Sequence, residues 1–149
     1  MLSGRWYELM FLGEYTPTLD SKGRLILPAR IREQLDTAVL TSEVERCLAL
    51  WPPAEFEQRA RELQEQARHD AASHDRARFF WAGAQEVTPD NQGRIAIPQS
   101  LRDFAGLSAG PVAVTGSFDH VEIRSLAAWQ EKKSRGEEAL ARQQFTGAG

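Results

Sequence analysis

Two short segments, residues 24–27 and 94–97, alternate between their two sides in the same way. In each segment the second and fourth residues are Leu or Ile, and the first is Arg. A period of two places alternate side chains on opposite faces of a strand, so both segments are predicted strands. Each strand ends at a proline, Pro28 or Pro98, which pre-sets the first turn of a helix. The predicted short helices are 29–35 and 99–104.

The same turn precedes each of these strands. Asp20 and Gly23 open the first, and Asp90 and Gly93 open the second. An Asp side chain can accept hydrogen bonds from the backbone ahead of it, and Gly adopts positive φ at little steric cost. The unit at 20–35 therefore recurs 70 residues later at 90–105, and we interpret the chain as a duplication.

Further strands are predicted at 13–19, 38–41, 47–51, 111–115 and 121–124, and Pro17 places the first of them at an edge or a bulge. Pro52 and Pro53 then open a long helix. Its apolar residues recur at helical spacing on one face, namely Phe56, Ala60, Leu63, Ala67 and Ala71.

Three more helix signals follow. Ser73 is a candidate N-cap for a second helical piece that includes Phe79, Phe80 and Trp81. Gly106 is a predicted helix stop. A last helix is predicted over 126–140.

Each half contains about 45 residues, which is too few to bury a core alone. The predicted fold class is therefore α+β and β-rich: two intertwined repeats form one barrel-like sheet with a pseudo-twofold axis, and additional helices lie outside it. The predicted divisions are an N-terminal extension (1–9), a first repeat (10–57), a connecting helical segment (58–82), a second repeat (83–128), and a C-terminal helix and tail (129–149).

An apolar content of 42% and a charged content of 26% are typical of a soluble globular protein. The N-terminus does not have the pattern of a secretory signal. Cys47 is the single cysteine, so it makes no internal disulfide, which fits the cytoplasm. The net charge of −3 does not exclude a nucleic-acid binder, since phosphate is bound by a local patch.

The two copies of the unit differ in charge. The first has a surplus of two positive charges, because it contains four basic residues against Asp20 and Glu33. In the second copy, two basic residues balance Asp90 and Asp103. The basic residues are Lys22, Arg24, Arg30 and Arg32 in the first copy, and Arg94 and Arg102 in the second.

The doubled motif D-x-x-G-R-x-x-x-P, with the segments MFLGEY and CLALWPPAEFE, resembles the MraZ family. That resemblance implies two SpoVT/AbrB-like domains in a double-ψ/swapped-hairpin barrel. It implies a bacterial transcription regulator that binds double-stranded DNA at repeated boxes upstream of the cell-division and cell-wall gene cluster, as a repressor. It also implies a ring-shaped homo-oligomer on the nucleoid. By motif match, the DNA-contacting arginines of the family fall on Arg24 and Arg94.

The residues themselves leave two roles open for Arg24 and Arg94. An exposed Arg can pair with phosphate or with the N7 and O6 of guanine. Alternatively, it holds the hairpin by binding the turn Asp, and the two roles are compatible. Lys22 at the turn tip is a phosphate contact or a solvated lysine, and its counterpart is Gln92. Three further arginines suit DNA, ion pairs or subunit contacts about equally, namely Arg30, Arg32 and Arg102.

No constellation in the sequence supports catalysis, a metal or a cofactor. His69 and His74 are five residues apart, which is not the spacing of a metal-binding pair on a helix. Ser117, Asp119 and His120 resemble a triad in residue type alone. The alternative function is an AbrB-like protein-interaction module, such as an antitoxin, although the two copies and the helical C-terminus disfavour it.

Overall fold

The computed structural model describes residues 10–143, which form nine strands and five α helices. No helix in this part of the chain is both long and apolar enough to cross a bilayer. The strands are β1 (Glu14–Tyr15), β2 (Thr18–Leu19), β3 (Arg24–Ile26), β4 (Ala38–Glu43), β5 (Cys47–Trp51), β6 (Gln85–Val87), β7 (Arg94–Ala96), β8 (Gly110–Gly116) and β9 (Val121–Ser125). The helices are α1 (Ala29–Gln34), α2 (Pro53–Ala67), α3 (Ala71–Gly83), α4 (Gln99–Ala105) and α5 (Leu126–Arg142).

The repeated unit has the same structure in both copies. Buried, half-buried and exposed positions follow in the same order over residues 21–35 and 91–105. The turn glycines have φ of 81° at Gly23 and 79° at Gly93, as the turn pattern predicted. Gly106 ends α4 in the left-handed conformation, with φ of 65°, so the predicted helix stop is confirmed.

The two copies exchange strands. β3 pairs with β7 in antiparallel fashion, and this pair forms the central ribbon, with Leu25 opposite Ile95. Two reciprocal bonds extend the ribbon: Leu27 N donates to Gly93 O at 2.9 Å, and Ile97 N donates to Gly23 O at 2.8 Å. β2 pairs with β8, and β6 pairs with β4, so each copy completes the sheet of the other.

The strands follow the order β6-β4-β5-β9-β8-β2-β3-β7, and β1 pairs with β8. The result is a nearly closed antiparallel barrel, which confirms the predicted α+β swapped-hairpin fold. Its core is built from matching residues of the two copies, each no more than 2% exposed: Leu25, Leu27, Ile31, Ile95, Ile97 and Leu101. Burying each such side chain contributes about 1.5–3 kcal/mol.

α2 and α3 form a hairpin outside the barrel with a small core of its own. Leu63 on α2 packs with Ala77 and Phe80 on α3, and each is at most 3% exposed. Phe56 stacks on Phe80, with 5.8 Å between the ring centroids. The apolar face predicted for α2 is therefore real, and most of it is covered by α3.

Two expectations about this hairpin were wrong. Ser73 does not cap α3, because Asp70 Oδ1 accepts the Ser73 N–H at 2.7 Å. The carboxylate at 70 reaches the third amide of the helix, so α3 begins one turn earlier than the Ser73 signal indicated. Ala71 consequently lies in α3 and does not extend the apolar face of α2, which ends at Ala67.

Candidate nucleic-acid interface

Asp20 organises the turn before β3. Its Oδ1 accepts from the backbone N–H groups of Lys22 and Arg24, both at 2.9 Å, and its Oδ2 accepts from Arg24 Nε at 2.9 Å. The backbone bond from Arg24 is the main cause that lowers the pKa of Asp20 below its ordinary value. Asp20 is therefore a carboxylate at neutral pH, and it sets both the turn and the direction of the Arg24 side chain.

Asp90 makes the same contacts in the second copy. Its Oδ1 accepts from Gln92 N at 2.8 Å and from Arg94 N at 2.9 Å, and its Oδ2 accepts from Arg94 Nε at 2.9 Å. The backbone bond from Arg94 likewise lowers the pKa of Asp90. Of the two roles left open for these arginines, the structure shows the bond to the turn Asp, from Arg24 to Asp20 and from Arg94 to Asp90. Each Nε donates to the turn carboxylate, and the two terminal nitrogens of the fork make no hydrogen bond to residues 10–143.

Arg24 and Arg94 lie on the same face of the central ribbon. Arg24 is opposite Ala96, and Arg94 is opposite Ile26. The two arginines are diagonal neighbours, at a separation of roughly 7–8 Å for such pairs. Their side chains are 35% and 23% exposed. Since Leu25 and the other inward residues fill the core, the opposite face presents both arginines to solvent.

The same face contains an exposed apolar residue, Ile26, which is 49% exposed. Lys22 and Gln92 are exposed at the tips of the two turns. A two-stranded ribbon fits the major groove of DNA, which is about 12 Å wide. The guanidinium forks can pair with phosphate or guanine there, and an apolar side chain can contact a thymine methyl group.

Arg32 and Arg102 differ from the ribbon arginines, because each packs against the turn glycine of the other copy, Gly93 and Gly23 respectively, and also bonds a carbonyl of its own copy. Arg32 Nε donates to Leu27 O at 3.0 Å, and Arg102 Nε donates to Ile97 O at 2.9 Å. Both are half-buried, whereas Arg30 is exposed at the start of α1. The structure therefore gives Arg32 and Arg102 a packing function that the sequence did not reveal. Their recurrence 70 residues apart was the available signal.

Three other candidate residues form a different arrangement from a catalytic triad. His120 Nδ1 lies 2.7 Å from Asp119 Oδ1, and His120 Nε2 lies 3.0 Å from Glu122 Oε2. Both ring nitrogens face carboxylates, so neither is directed at Ser117. Burial alone would lower the pKa of His120, but the hydrogen bonds to Glu122 and Asp119 outweigh it and raise the pKa. The ring also stacks on Trp51, with centroids 4.2 Å apart.

The remaining candidates form no site in the part of the chain that the structure describes. Residues 10–143 contain no cluster of three or more His, Cys, Asp or Glu side chains able to hold a metal. Cys47 is fully buried, and burial raises the pKa of its thiol to about 12. A thiol in this state is neutral at physiological pH and is a poor nucleophile.

The fold and the ribbon define a duplicated swapped-hairpin barrel that displays paired arginines on one face. A family model described as "MraZ protein, putative antitoxin-like" matches this chain twice, at residues 10–79 and 80–146. The chain belongs to the MraZ family, and the resemblance inferred from its motifs is confirmed.

Similar proteins named "Transcriptional regulator MraZ" occur in several bacteria. The relative from Kineococcus radiotolerans is 44% identical over 133 residues, covering 89% of this chain and 92% of the relative. The relatives from Salinispora arenicola and Cutibacterium acnes are 42% and 39% identical, and each comparison covers 89% of this chain and 93% of the relative. These names place transcription regulation within the family.

Proposed function

We propose that this protein is a sequence-specific DNA-binding transcription regulator, which acts by occupying promoter DNA and not by catalysis. Its targets are repeated boxes upstream of the cell-division and cell-wall gene cluster, where it represses transcription. It works in the cytoplasm, on the nucleoid, as a ring-shaped homo-oligomer. The names of its relatives support the regulatory class.

The observation that carries the proposal is the placement of Arg24 and Arg94 on one face of the central ribbon. Each is held by a turn carboxylate at 2.9 Å. Bonds to Asp20 and Asp90 restrict the rotamers of the arginines before DNA arrives, so less side-chain entropy is lost on binding. The proposed assignment gives these two arginines the direct base or phosphate contacts.

The other basic residues have supporting roles in this proposal. Lys22 at the turn tip and exposed Arg30 contact phosphates, which position the protein without reading sequence. Arg32 and Arg102 contribute positive charge near the DNA backbone, while their Nε atoms bond the strand ends of their own copies and their guanidinium groups lie over the opposite turn. Because Gln92 replaces Lys22 in the second copy, the first copy contributes more of the phosphate binding.

One protomer offers few cationic contacts, so its affinity for a single box is low. Several protomers in one assembly place copies of the ribbon on successive boxes, and the contacts then add through effective concentration. Counterion release predicts that affinity falls steeply as salt concentration rises. Tight binding in this proposal therefore requires both repeated boxes on the DNA and self-association of the protein.

The experiment is a gel-shift titration of the protein's own upstream DNA with wild type and Arg24→Ala. We expect Arg24→Ala to abolish specific binding while the far-UV circular dichroism and the oligomer mass stay unchanged. Arg61→Ala is the matched control, since Arg61 is an exposed arginine on α2 that pairs only with its neighbour Glu57 at 3.1 Å in the contacts described. Undiminished promoter binding by Arg24→Ala would refute the assignment.

A weaker loss is expected for Arg94→Ala. Both arginines occupy equivalent positions, but only the first turn has a lysine at its tip. The titration should therefore give a smaller reduction for Arg94→Ala than for Arg24→Ala. Installing the missing charge with Gln92→Lys should raise affinity and steepen the salt dependence by about one phosphate contact.

The second candidate function is a protein-interaction module of the antitoxin type. It is favoured by the words "antitoxin-like" in the description of the family model. In that case a toxin would copurify at fixed stoichiometry from the native cell, and Arg24→Ala would not affect the complex. Recovery of the protein without such a partner supports the DNA-binding proposal.

A further inference from the structure

The last part of α5 extends away from the body of the protein. Residues 133–143 are all exposed, and Leu140 is 74% exposed. Two ion pairs in this part are within the helix itself, Arg135 with Glu131 and Arg142 with Glu138. Helical segments in water gain most of their stability by packing an apolar face. We refer to residues 134–143 as the distal segment.

Comparison of α5 with α2, the helix at the matching place in the first copy, identifies the part of α5 on which no helix in the described part of the chain packs. On α2, the stripe at positions 56, 60, 63 and 67 packs against α3, and its Leu63 is only 2% exposed. The positions with the same spacing on α5 are Trp129, Lys133, Gly136 and Leu140, of which the first two bond Glu14 on β1. A methyl group added at Gly136 would meet nothing within 4 Å. In the first copy α3 covers the stripe on α2, whereas within residues 10–143 no element packs on α5 at Gly136, and Leu140 is exposed.

A groove that borders the first half of α5, through the pair of Lys132 with Glu45, has chemistry complementary to the distal segment. It has a volume of about 260 Å³ and lies between the β4–β5 connection, the α2–α3 hairpin and α4. Its apolar lining includes Phe79 and Val44, which are 52% and 51% exposed. Phe104 lies beneath Phe79, with ring centroids 5.2 Å apart. We call this feature the aromatic groove.

The lining of the aromatic groove contains more arginines than carboxylates. Its two carboxylates are already paired, Glu43 with Arg59 at 2.8 Å and Glu45 with Lys132. Two further arginines in the lining donate instead to neutral oxygens. These bonds are Arg46 Nη1 to Phe104 O at 3.2 Å, and Arg76 Nη2 to Ser73 Oγ at 3.3 Å and Gln66 Oε1 at 3.5 Å.

We propose that the distal segment of α5 from a second copy of this chain occupies the aromatic groove. Leu140 inserts between Phe79, Val44 and Phe104, and Glu137, one turn earlier on the same side, pairs with Arg76. The partner has to present an apolar residue beside a carboxylate. Leu140 with Glu137 provides that combination, and in its own chain it is exposed.

Such a contact joins two different surfaces, so it is heterologous. A heterologous contact repeats from copy to copy and generates a ring if the rotation closes. The inference deepens the self-association included in the proposed function and rests on it. It adds the two surfaces and the direction of assembly.

Size-exclusion chromatography with light scattering tests the contact on the full chain. Leu140→Glu and Phe79→Glu should each reduce the mass to that of one chain, 16.7 kDa. Both residues are exposed in the protomer, and unchanged circular dichroism will verify the fold. Arg142→Glu is the matched control, because residue 142 is about 160° from residue 140 around the helix. This control should assemble like wild type.

Mixing the two monomeric variants gives the decisive result. Each retains the surface that the other lacks, so an equimolar mixture should form a one-to-one dimer that grows no further. Arg76→Glu should also weaken assembly, and Glu137→Arg in the same chain should restore it.

Several outcomes would overturn the inference. They are a monomeric wild type, unchanged assembly of Leu140→Glu or Phe79→Glu, and a mixture that stays monomeric. The last of these would indicate that α5 pairs with its own counterpart or with another protein. Promoter binding separates the two proposals. If the chain assembles as expected but binds no DNA, only the DNA-binding function is refuted. If it binds the promoter and Leu140→Glu assembles like wild type, only this inference is refuted.

Discussion

Arg32 of the first copy lies directly over Gly93 of the second. A methyl group at Gly93 would be 2.5 Å from Arg32 Nη1, and Arg102 stands in the same relation to Gly23. Each arginine therefore closes the turn that precedes the opposite ribbon strand. The helix of one copy and the turn of the other are fitted together, which explains why these arginines recur with the glycines.

Gly93→Ala is expected to destabilise the protein by about 1–3 kcal/mol, because two effects combine. An alanine would have to adopt the φ of 79°, and its Cβ would displace the Arg32 guanidinium. Urea unfolding followed by circular dichroism measures the change. Gly136→Ala is the control, since the space around it is open and a helical alanine is favoured by up to about 1 kcal/mol. Equal stability of the two variants would contradict the prediction.

Arg32→Ala and Arg30→Ala should affect different properties. Arg32→Ala loses the bond to Leu27 O and the cover over Gly93, so the free energy of unfolding should fall by about 1–2 kcal/mol. Arg30→Ala alters an exposed side chain and should change stability by less than about 0.5 kcal/mol, while lowering DNA affinity. Urea unfolding and fluorescence anisotropy with labelled promoter DNA measure the two properties. A larger loss of stability in Arg30→Ala would reverse the assignment.

Asp20→Asn tests whether the turn carboxylate directs Arg24. The amide oxygen can still accept the backbone bonds of the turn, but it loses the charged contact to Arg24 Nε. The change removes a negative charge, so simple attraction to DNA predicts tighter binding. If the carboxylate aligns Arg24, the ratio of specific to non-specific affinity should instead fall several-fold. Anisotropy titrations with promoter and unrelated DNA measure that ratio, and an unchanged ratio would show that Asp20 has only a turn-forming role.

Local features of the fold could be predicted from the sequence because their causes are local. The Asp–Gly turn, the alternating strand and the helix after Pro28 are each specified within a few residues. The small size of each half predicted that the two copies intertwine, but the pattern did not show which strands they exchange, because the free edge of β2 could pair with β4 of its own copy as well as with β8. The family resemblance supplied the swapped-hairpin arrangement. Asp70 and Ser73 are equally good capping residues, so their chemistry did not decide where α3 begins.

The sequence did not predict those features of the candidate sites that depend on contacts between distant segments of the chain. The paired arginines were predicted as exposed because each follows a turn and alternates with a core residue. The contact of Arg32 with Gly93 depends on how the two copies dock. Likewise, His120 meets Trp51 only because β9 pairs with β5. The spacing shows that the arginines recur with the turns, but it does not show which turn each arginine contacts or that His120 meets Trp51.

His120 should make stability depend on pH. Its pKa is raised in the folded protein, so folding favours the protonated ring. The resulting stabilisation is fully present below the ordinary pKa of about 6.5 and is lost as pH rises through the higher folded value. Urea unfolding between mildly acidic and alkaline pH should show this decline.

His120→Gln is the variant that isolates this effect. Glutamine retains polar contact but cannot titrate, so the decline across that pH range should disappear. The variant should also lose about 1–3 kcal/mol at acidic pH, since the charged hydrogen bonds to Asp119 and Glu122 are removed. A folded-state pKa for His120 at or below 6.5, measured by NMR, would contradict the argument.

Cys47 should be almost unreactive in the folded protein. Its thiol is fully buried, and burial raises its pKa to about 12 from the model-compound value of 9.0. Because the thiolate is the reactive form, this shift alone predicts alkylation at pH 8 that is on the order of 10³-fold slower than for an exposed cysteine. Timed labelling with iodoacetamide, followed by intact mass measurement, gives the rate. Labelling in concentrated urea should be rapid, and Cys47→Ala should take up no label under either condition. Rapid labelling of the native wild type would show that β5 opens or that Cys47 is accessible, which would conflict with the close packing of this strand between β4 and β9.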